Sequence, residues 1–186
     1  MHFKKDILLI DLETTGLDAA KQEIIQLAAI LLDKKNLKEK KVFASYVKPK
    51  KWRQRNLESM QVNKITLADL ADAPDLKKVI GEFETEFGTD VILAYYGGPV
   101  DMDFLREAYK KIKKPFRFDY HYFNLWPVFF AYLASKNQLD NSKKFTGFSL
   151  DDFMKKFKIK SKARHDALED CRVEAEILRR IMSKAW

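Results

Sequence analysis

Two carboxylic acids stand at the end of an apolar run near the start of the chain. Asp11 and Glu13 close the strand-like part of the segment DILLIDLETTGL, residues 6–17, with Leu12 between them. Because side chains alternate faces along a strand, the two acids share one face and Leu12 takes the other. Two carboxylates this close repel each other, so a buried pair needs a positive partner. A lysine or arginine would make an ion pair, and a divalent cation would make a metal site.

Acidic side chains also follow a later apolar run. The segment GGPVDMDFL places Asp101 and Asp103 at the start of a predicted helix. Acids are favoured at a helix N-terminus by capping and by the helix dipole, so this pair has an explanation without any metal. Acids after a second apolar run nevertheless strengthen the case for a metal site.

A histidine and an acid lie five residues apart in the segment RHDALEDC. The simple interpretation is that Asp166 caps a helix and that Asp170 faces solvent. However, Asp170 adjoins the apolar stripe that includes Leu168 and Cys171, so we expect it at the margin of the buried face. A carboxylate there needs a partner, and His165 at the helix start is a candidate for chemistry near neutral pH.

The composition predicts one folded domain, residues 1–186, that favours polyanions. Apolar residues make up 46% of the chain, and the net charge of +8 favours nucleic acid or an anionic surface, although a solvated lysine face has the same charge balance. Cys171 is the single cysteine, which excludes an internal disulfide and a Cys/His zinc motif. There is no signal-peptide pattern and no apolar run of membrane-spanning length, so we predict a cytoplasmic protein without a membrane partner.

The elements that must hold these side chains follow from hydrophobic periodicity. Strands are expected at residues 7–12, 24–32, 41–47 and 90–95 with a short fifth strand ending at 119, and helices at 65–71, 74–87, 101–111, after 119, from 150 and at 166–182. Three strands joined by short connections predict an antiparallel meander, and the later alternation predicts helices on both faces. The fold class is therefore α/β with a mixed sheet. Ser149 and Asp152 predict a capping box at the helix that begins at residue 150.

In order and spacing, these acids and the histidine resemble the motifs of the DEDD-type (DnaQ-like) 3′–5′ exonucleases, in the subgroup whose third motif carries histidine. DLETTGL matches the first motif, VDMDFL the second and HDALED the third. The likeness extends to MQVNKIT and FSLDDFMKKFKI, and so covers residues 6 to 180. It implies a ribonuclease H-like fold, a five-stranded mixed sheet flanked by helices. It also favours Asp101 over Asp103, because Phe104 and Leu105 then follow at the family spacing.

The resemblance implies a chemistry as well. Family members use two divalent metal ions, Mg²⁺ or Mn²⁺, held by four acids that would here be Asp11, Glu13, Asp101 and Asp170. His165 would take the proton from the attacking water, a role that suits a pKa near neutrality. The residues around the first motif would hold the terminal nucleotide: Glu13 and the Thr14 backbone amide at the 3′-hydroxyl, and Leu17 against the last bases. The product would be a nucleoside 5′-monophosphate.

The natural substrate stays open at this point. TTGL is closer to the proofreading-subunit branch of DNA polymerase III, epsilon, than to the oligoribonuclease branch, so single-stranded DNA with a free 3′ end is favoured and RNA trimming is the alternative. A nucleic-acid-binding module without catalysis is the competing class. In the basic stretch KPKKWRQRN, Trp52 either stacks on bases or packs on the core. The chain stops soon after the third motif, so a polymerase partner is not indicated.

Overall fold

Five strands and six α-helices make up the computed structural model, which describes residues 3–140, 142–144, 147–161 and 165–184. The strands are β1 (Ile7–Thr14), β2 (Ile24–Leu32), β3 (Glu39–Tyr46), β4 (Ile92–Tyr95) and β5 (Phe123–Asn124). The helices are α1 (Leu57–Asn63), α2 (Leu76–Phe87), α3 (Val100–Lys111), α4 (Leu125–Ser135), α5 (Leu150–Phe157) and α6 (Ala167–Lys184), and a 3₁₀ turn (Trp52–Gln54) precedes α1. Among the described residues, no helix is long and apolar enough to cross a bilayer.

The sheet has the strand order β3-β2-β1-β4-β5, with β1 at its centre. β1, β2 and β3 form the predicted antiparallel meander, whereas β4 runs parallel to β1 and β5 runs parallel to β4. The prediction of a mixed α/β sheet is therefore confirmed. Because β1 and β4 are parallel neighbours, they end at the same edge of the sheet, and the connections that follow them meet there.

Helices cover both faces of the sheet, and the alternation along β1 divides the core between them. Ile7 and Leu9 belong to the cluster that contains α4, α5 and α6, while Leu8 and Ile10 belong to the cluster that contains α2 and α3. All four side chains are at most 1% exposed. The same alternation continues to the end of the strand, so every second position after Leu9 extends the face that α6 covers.

The predicted helix at residues 65–71 is wrong, because the helix in this region is α1, which comes earlier. The Asn56 side chain accepts the backbone N–H three residues further on and so caps α1. Lys64, in the left-handed region with φ of 60°, ends α1. Thr66 and Asp69 then bond to each other in a turn, where the hydroxyl of Thr66 donates to the Asp69 carboxylate at 2.6 Å. Side-chain bonds of this kind compete with helical ones.

The predicted strand ending at Asp119 is also wrong, because the chain joins the sheet only at β5. Phe116 and Phe118 point their rings at Tyr109, with ring centroids 5.1 and 6.1 Å apart, and so serve helix packing. The Asp119 carboxylate accepts the backbone N–H of His121 in a turn. The remaining boundaries agree with the prediction to within a residue or two, and the capping box of α5 is confirmed.

Trp52 packs on the protein and does not project as a free aromatic side chain. It is partly buried against a small cluster formed by Ile25, Ile65 and Leu70. The guanidinium of Arg55 lies 5.0 Å from the centre of its ring. Of the two interpretations of this basic stretch, the structure supports the one in which Trp52 belongs to the core.

Candidate active site

The end of β1 presents Asp11 and Glu13 side by side on the face that α6 covers. Both are partly exposed, and they alternate with Leu12 and Thr14, which are 7% and 8% exposed. The predicted alternation is therefore confirmed. The pairing with β2 shifts by one residue after Glu13, where the strand leaves the regular sheet. The two carboxylates thus stand on a rigid central strand at the point where it opens to solvent.

Asp101 joins them from the first turn of α3. This helix follows β4, and because β4 is parallel to β1, its start lies at the same edge of the sheet. The Asp101 carboxylate accepts the backbone N–H of Leu12, which ties it directly to β1. Asp103, two residues later, is exposed. Of the two candidate acids, Asp101 is the one that lies at the end of β1.

Asp170 and His165 come from the start of α6. Asp170 is 7% exposed, more deeply buried than the marginal position predicted for it. Ligand atoms of Glu13, His165 and Asp170 lie within 4.8 Å of one another. His165 is exposed and has a φ of 59°, so the chain turns at this residue immediately before the helix. All five residues singled out in the three motifs therefore converge at one edge of the sheet.

The acids of this cluster are crowded enough to disfavour their own ionisation. Burial raises the pKa of Glu13 to about 8, and the charges of Asp170 and Asp101 add to the effect. Burial also raises the pKa of Asp101 to about 7, while its bond from Leu12 acts in the opposite direction. The pKa of Asp11 is raised well above its usual range, first by burial and then by the neighbouring carboxylates, Asp101 foremost.

This donor set fits divalent cations that prefer oxygen ligands. No described lysine or arginine forms an ion pair with Asp11, Glu13 or Asp101. Carboxylates that repel one another and bind protons to near neutral pH are stabilised by a bound cation, which reverses the local pKa shifts. Mg²⁺ and Mn²⁺ are bound by carboxylates in this way, whereas zinc sites favour nitrogen and sulfur ligands.

Gln26 is a residue of this site that the motif analysis missed. It lies on β2 directly opposite Glu13 and is 7% exposed. Its amide donates to the Asp166 carboxylate at 3.3 Å and accepts the backbone N–H of Ala167 at 3.3 Å. Asp166 in turn accepts the N–H of Glu169 at 3.1 Å as the cap of α6. The signal in the sequence was one polar residue inside the apolar run IIQLAAILL.

Asn63 and Glu174 were missed as well. The Asn63 amide at the end of α1 donates to the Thr14 carbonyl at 3.1 Å and also bonds the Glu13 carboxylate. Glu174 is 1% exposed, and its charge raises the pKa of both Asp11 and Cys171. Its spacing of four residues from Asp170 placed it on the same face of α6. Asn63 had no local signal, because it reaches the site only through the fold.

A cavity of about 630 Å³ opens beside the acids. Glu13, Thr14 and Leu17 line one side of it, and Val62 and Asn63 of α1 line another. Leu17 is 77% exposed at its edge. The Thr14 hydroxyl donates to the Gly16 carbonyl at 2.6 Å. Because this bond within the turn occupies the hydroxyl, a ligand in the cavity would contact the Thr14 backbone and the Leu17 side chain. The three residues predicted to bind substrate thus lie together on one cavity wall, next to the carboxylates.

Comparisons with known proteins relate this arrangement to nucleases. The exonuclease family model, RNase_T, matches residues 8–178. DNA polymerase III subunit epsilon of Aquifex aeolicus is 27% identical over 180 residues, which are 96% of this chain and 81% of that protein. The PolC-type DNA polymerase III of Bacillus subtilis is 35% identical over 105 residues, 56% of this chain. The match covers only 7% of that much longer polymerase.

The fold is also similar to solved structures of nucleases. The nuclease domain of 3′hExo, described as a DEDDh family member bound to rAMP, superimposes with a TM-score of 0.74. The match covers 100% of this chain and 96% of that domain at 22% identity. At this identity the likeness concerns the fold, which is therefore ribonuclease H-like, as the resemblance implied.

Proposed function

The chain belongs to the exonuclease family, and we propose that it is a metal-dependent 3′–5′ exonuclease that removes nucleoside 5′-monophosphates from nucleic acid, with DNA as the favoured substrate. One observation carries the proposal. Four acids and a histidine, distant in sequence, meet at the end of the central strand beside an open cavity. Members of this family are metal-dependent nucleases, and the donor set fits that requirement.

Asp11, Glu13, Asp101 and Asp170 would hold the cations. When bound, the cations supply charge neutralisation at the attacking and leaving oxygens of the phosphodiester. The carboxylates supply the fixed negative charge that selects for divalent cations. β1 and the first turns of α3 and α6 hold them in position, so little reorganisation accompanies the reaction.

His165 would act as the general base. In the proposed step, its ring takes one proton from a water molecule, and the water oxygen bonds to phosphorus as the bond to the 3′-oxygen of the preceding nucleotide breaks. That oxygen gains a proton and becomes the new 3′ end, while the phosphate leaves with the terminal nucleotide. The exposure of His165 lets it return its proton to solvent.

The cavity beside the acids would hold the terminal nucleotide. Its volume of about 630 Å³ is within the range of small-ligand sites. In this proposal the backbone N–H of Thr14 donates a hydrogen bond to the 3′-hydroxyl, the carboxylate of Glu13 accepts one from it, and Leu17 packs against a base. Asn63 supports this wall by bonding both Thr14 and Glu13. A free 3′ end is thereby selected, because an internal nucleotide carries a phosphate where the hydroxyl would bind.

DNA is favoured because the curated relatives are DNA polymerase III chains. We also propose that residues 1–186 act as one exonuclease domain, since the described strands form a single sheet, and the helices other than α1 contribute to the core clusters on its two faces. RNA trimming at the same site is the alternative activity, because the phosphoryl chemistry does not depend on the sugar.

Oligonucleotides labelled at one end test this function. Wild-type protein is incubated with DNA and with RNA of one sequence, single-stranded and duplex, in Mg²⁺, in Mn²⁺ and in chelator. We expect a 5′-labelled DNA strand to shorten stepwise and a 3′-labelled strand to release labelled mononucleotide at once, with neither change in chelator. Faster shortening of RNA than of DNA would assign the alternative activity. Internal cleavage, shortening from the 5′ end, or no cleavage of any substrate would overturn the proposal.

A further inference from the structure

A second opening, which we call the lysine groove, lies between the segment after β3, the start of α2 and the end of α3. Its volume is about 490 Å³. Six lysines line it, namely Lys48, Lys50, Lys51, Lys77, Lys111 and Lys113. Its acidic lining residues are Glu23 and Asp75, so positive charge dominates. None of these residues belongs to the carboxylate cluster.

Backbone groups already engage the two acids of the groove. The Glu23 carboxylate accepts the backbone N–H groups of Lys50 and Lys51 at 3.1 and 2.6 Å. The Asp75 carboxylate accepts the N–H of Lys78 at 2.8 Å as the cap of α2. These two carboxylates therefore fix the backbone around the groove. They form these bonds with backbone N–H groups, and none with a lysine ammonium group of the groove among the described residues.

The lysines divide into two that brace the walls and four that remain available. Lys48 donates to the Ala71 carbonyl at 2.7 Å, and Lys111 donates to two carbonyls of the turn after β1. In contrast, four exposed lysines make no side-chain hydrogen bond or ion pair with any described residue, namely Lys50, Lys51, Lys77 and Lys113. Lys50 follows β3, Lys77 lies on α2 and Lys113 follows α3, so these three lie on different walls of the groove.

The groove and the cavity beside the acids are linked through the turn that follows β1. Lys111 donates to the carbonyls of Ala19 and Gln22 at 3.0 and 3.2 Å. These residues belong to the turn that follows β1, and Leu17 and Gln22 of the same turn line the cavity beside the acids. Lys111 of the groove lining is thus directly bonded to Gln22 of the cavity lining, so the two openings lie on either side of this turn.

We propose that the lysine groove binds the sugar–phosphate backbone of the single strand on the 5′ side of the nucleotide held in the cavity. The proposal rests on the proposed function, since it extends the path of the same substrate. Lysine ammonium groups attract the phosphates of a strand, and the lining residues Val47, Phe104 and Ile112 are apolar and can accept a sugar or base edge. A duplex would offer phosphates but keep its base faces stacked and unavailable.

Binding of fluorescent oligothymidylates in Ca²⁺, under conditions without turnover, tests the groove. The groove variant combines Lys50→Gln, Lys77→Gln and Lys113→Gln. The matched control combines Lys34→Gln, Lys35→Gln and Lys38→Gln in the turn between β2 and β3, which lies beside the start of β1 and away from the groove. The two variants lose equal charge. For a strand of about twelve nucleotides, we expect the groove variant to bind about tenfold more weakly and its slope of log affinity against log salt to fall by roughly 2.

A dinucleotide, which fills only the cavity, is expected to bind the groove variant within about threefold of wild type, since it makes no phosphate contacts beyond the cavity. Equal weakening of the long strand in both variants, or none in the groove variant, would overturn the proposal. So would a larger loss for duplex than for single strand. Binding needs no cleavage, so this result is independent of whether the chain proves to be a 3′–5′ exonuclease.

Discussion

At the scale of single residues, the site is built from acids that repel one another. Asp11, Glu13 and Asp101 have raised pKa values because they are partly buried and close together, without a described cationic side chain to pair with. Their arrangement is costly for the protein alone and becomes favourable with divalent cations bound. The residues around them, Gln26 and Asn63, hold the backbone and carboxylates in place through hydrogen bonds.

Asp101 and Asp103 provide a matched pair for testing this assignment. Both lie in the first turn of α3, but Asp101 is partly buried and accepts the backbone N–H of Leu12 in β1, whereas Asp103 is exposed. We expect Asp101→Asn to lower kcat/KM for single-stranded DNA by about a hundredfold or more, the scale of losing one electrostatic contact to the transition state. Asp103→Asn should remain within about threefold of wild type. Equal losses in the two variants would show that the site lies elsewhere.

Gln26 should act by positioning the start of α6. Gln26→Leu removes the bonds to Asp166 and to the backbone of Ala167, so His165 and Asp170 lose their alignment with Glu13. We expect the Mn²⁺ concentration for half-maximal rate to rise by about tenfold or more, as for other residues that orient metal ligands. A lower Tm in chelator with an unchanged Mn²⁺ dependence would reduce Gln26 to a purely structural role.

At the scale of elements, sequence periodicity predicted the order of strands and helices but misplaced two of them. β1, β2 and α6 were predictable because their apolar patterns are long and regular. The helix expected at residues 65–71 failed because local side-chain bonds between Thr66 and Asp69 replace helical ones. The strand expected before residue 119 failed because Phe116 packs on Tyr109 of α3, a contact that periodicity does not show. Asn63 could not be foreseen, since its role exists only once α1 reaches β1.

Trp52 tests the packing of the segment before α1. Its ring lies against Ile25, Ile65 and Leu70, so Trp52→Ala should lower the free energy of unfolding by about 2 kcal/mol, less than for a fully buried aromatic. Leu57→Ala, at a site 65% exposed on α1, is the control and should change it by no more than about 0.5 kcal/mol. Urea denaturation measures both. Unchanged stability together with a large loss of oligonucleotide affinity would instead favour base stacking.

At the scale of the whole molecule, the carboxylate cluster couples folding to pH and to cations. The pKa of Glu13 is about 8 in the folded protein against an ordinary value of 4.5, so the folded state holds a proton that the unfolded state has lost between these values. The unfolded state binds fewer protons there, and stability in chelator must fall as pH rises through this window. Asp101, with a pKa of about 7, contributes in the same direction.

Thermal denaturation in chelator should therefore show a Tm that declines by several degrees between about pH 5 and pH 8. Divalent cations bind the ionised carboxylates of the folded state, so Mg²⁺ or Mn²⁺ should raise Tm most at pH 8 and least at pH 5. Asp11→Asn removes one of the repelling charges and should flatten the decline in chelator. A Tm that is insensitive to cations at pH 8 would contradict a metal site at this cluster.

The release of nucleoside 5′-monophosphate from single-stranded DNA by wild type, Asp11→Asn and His165→Ala tests the central claim most directly. All three proteins are compared in Mn²⁺ after circular dichroism has shown that they are folded. The account predicts release by wild type and rates lower by about a hundredfold or more in both variants. Asp11→Asn loses a proposed metal ligand, and His165→Ala loses the proposed general base. Release by either variant at the wild-type rate would contradict it.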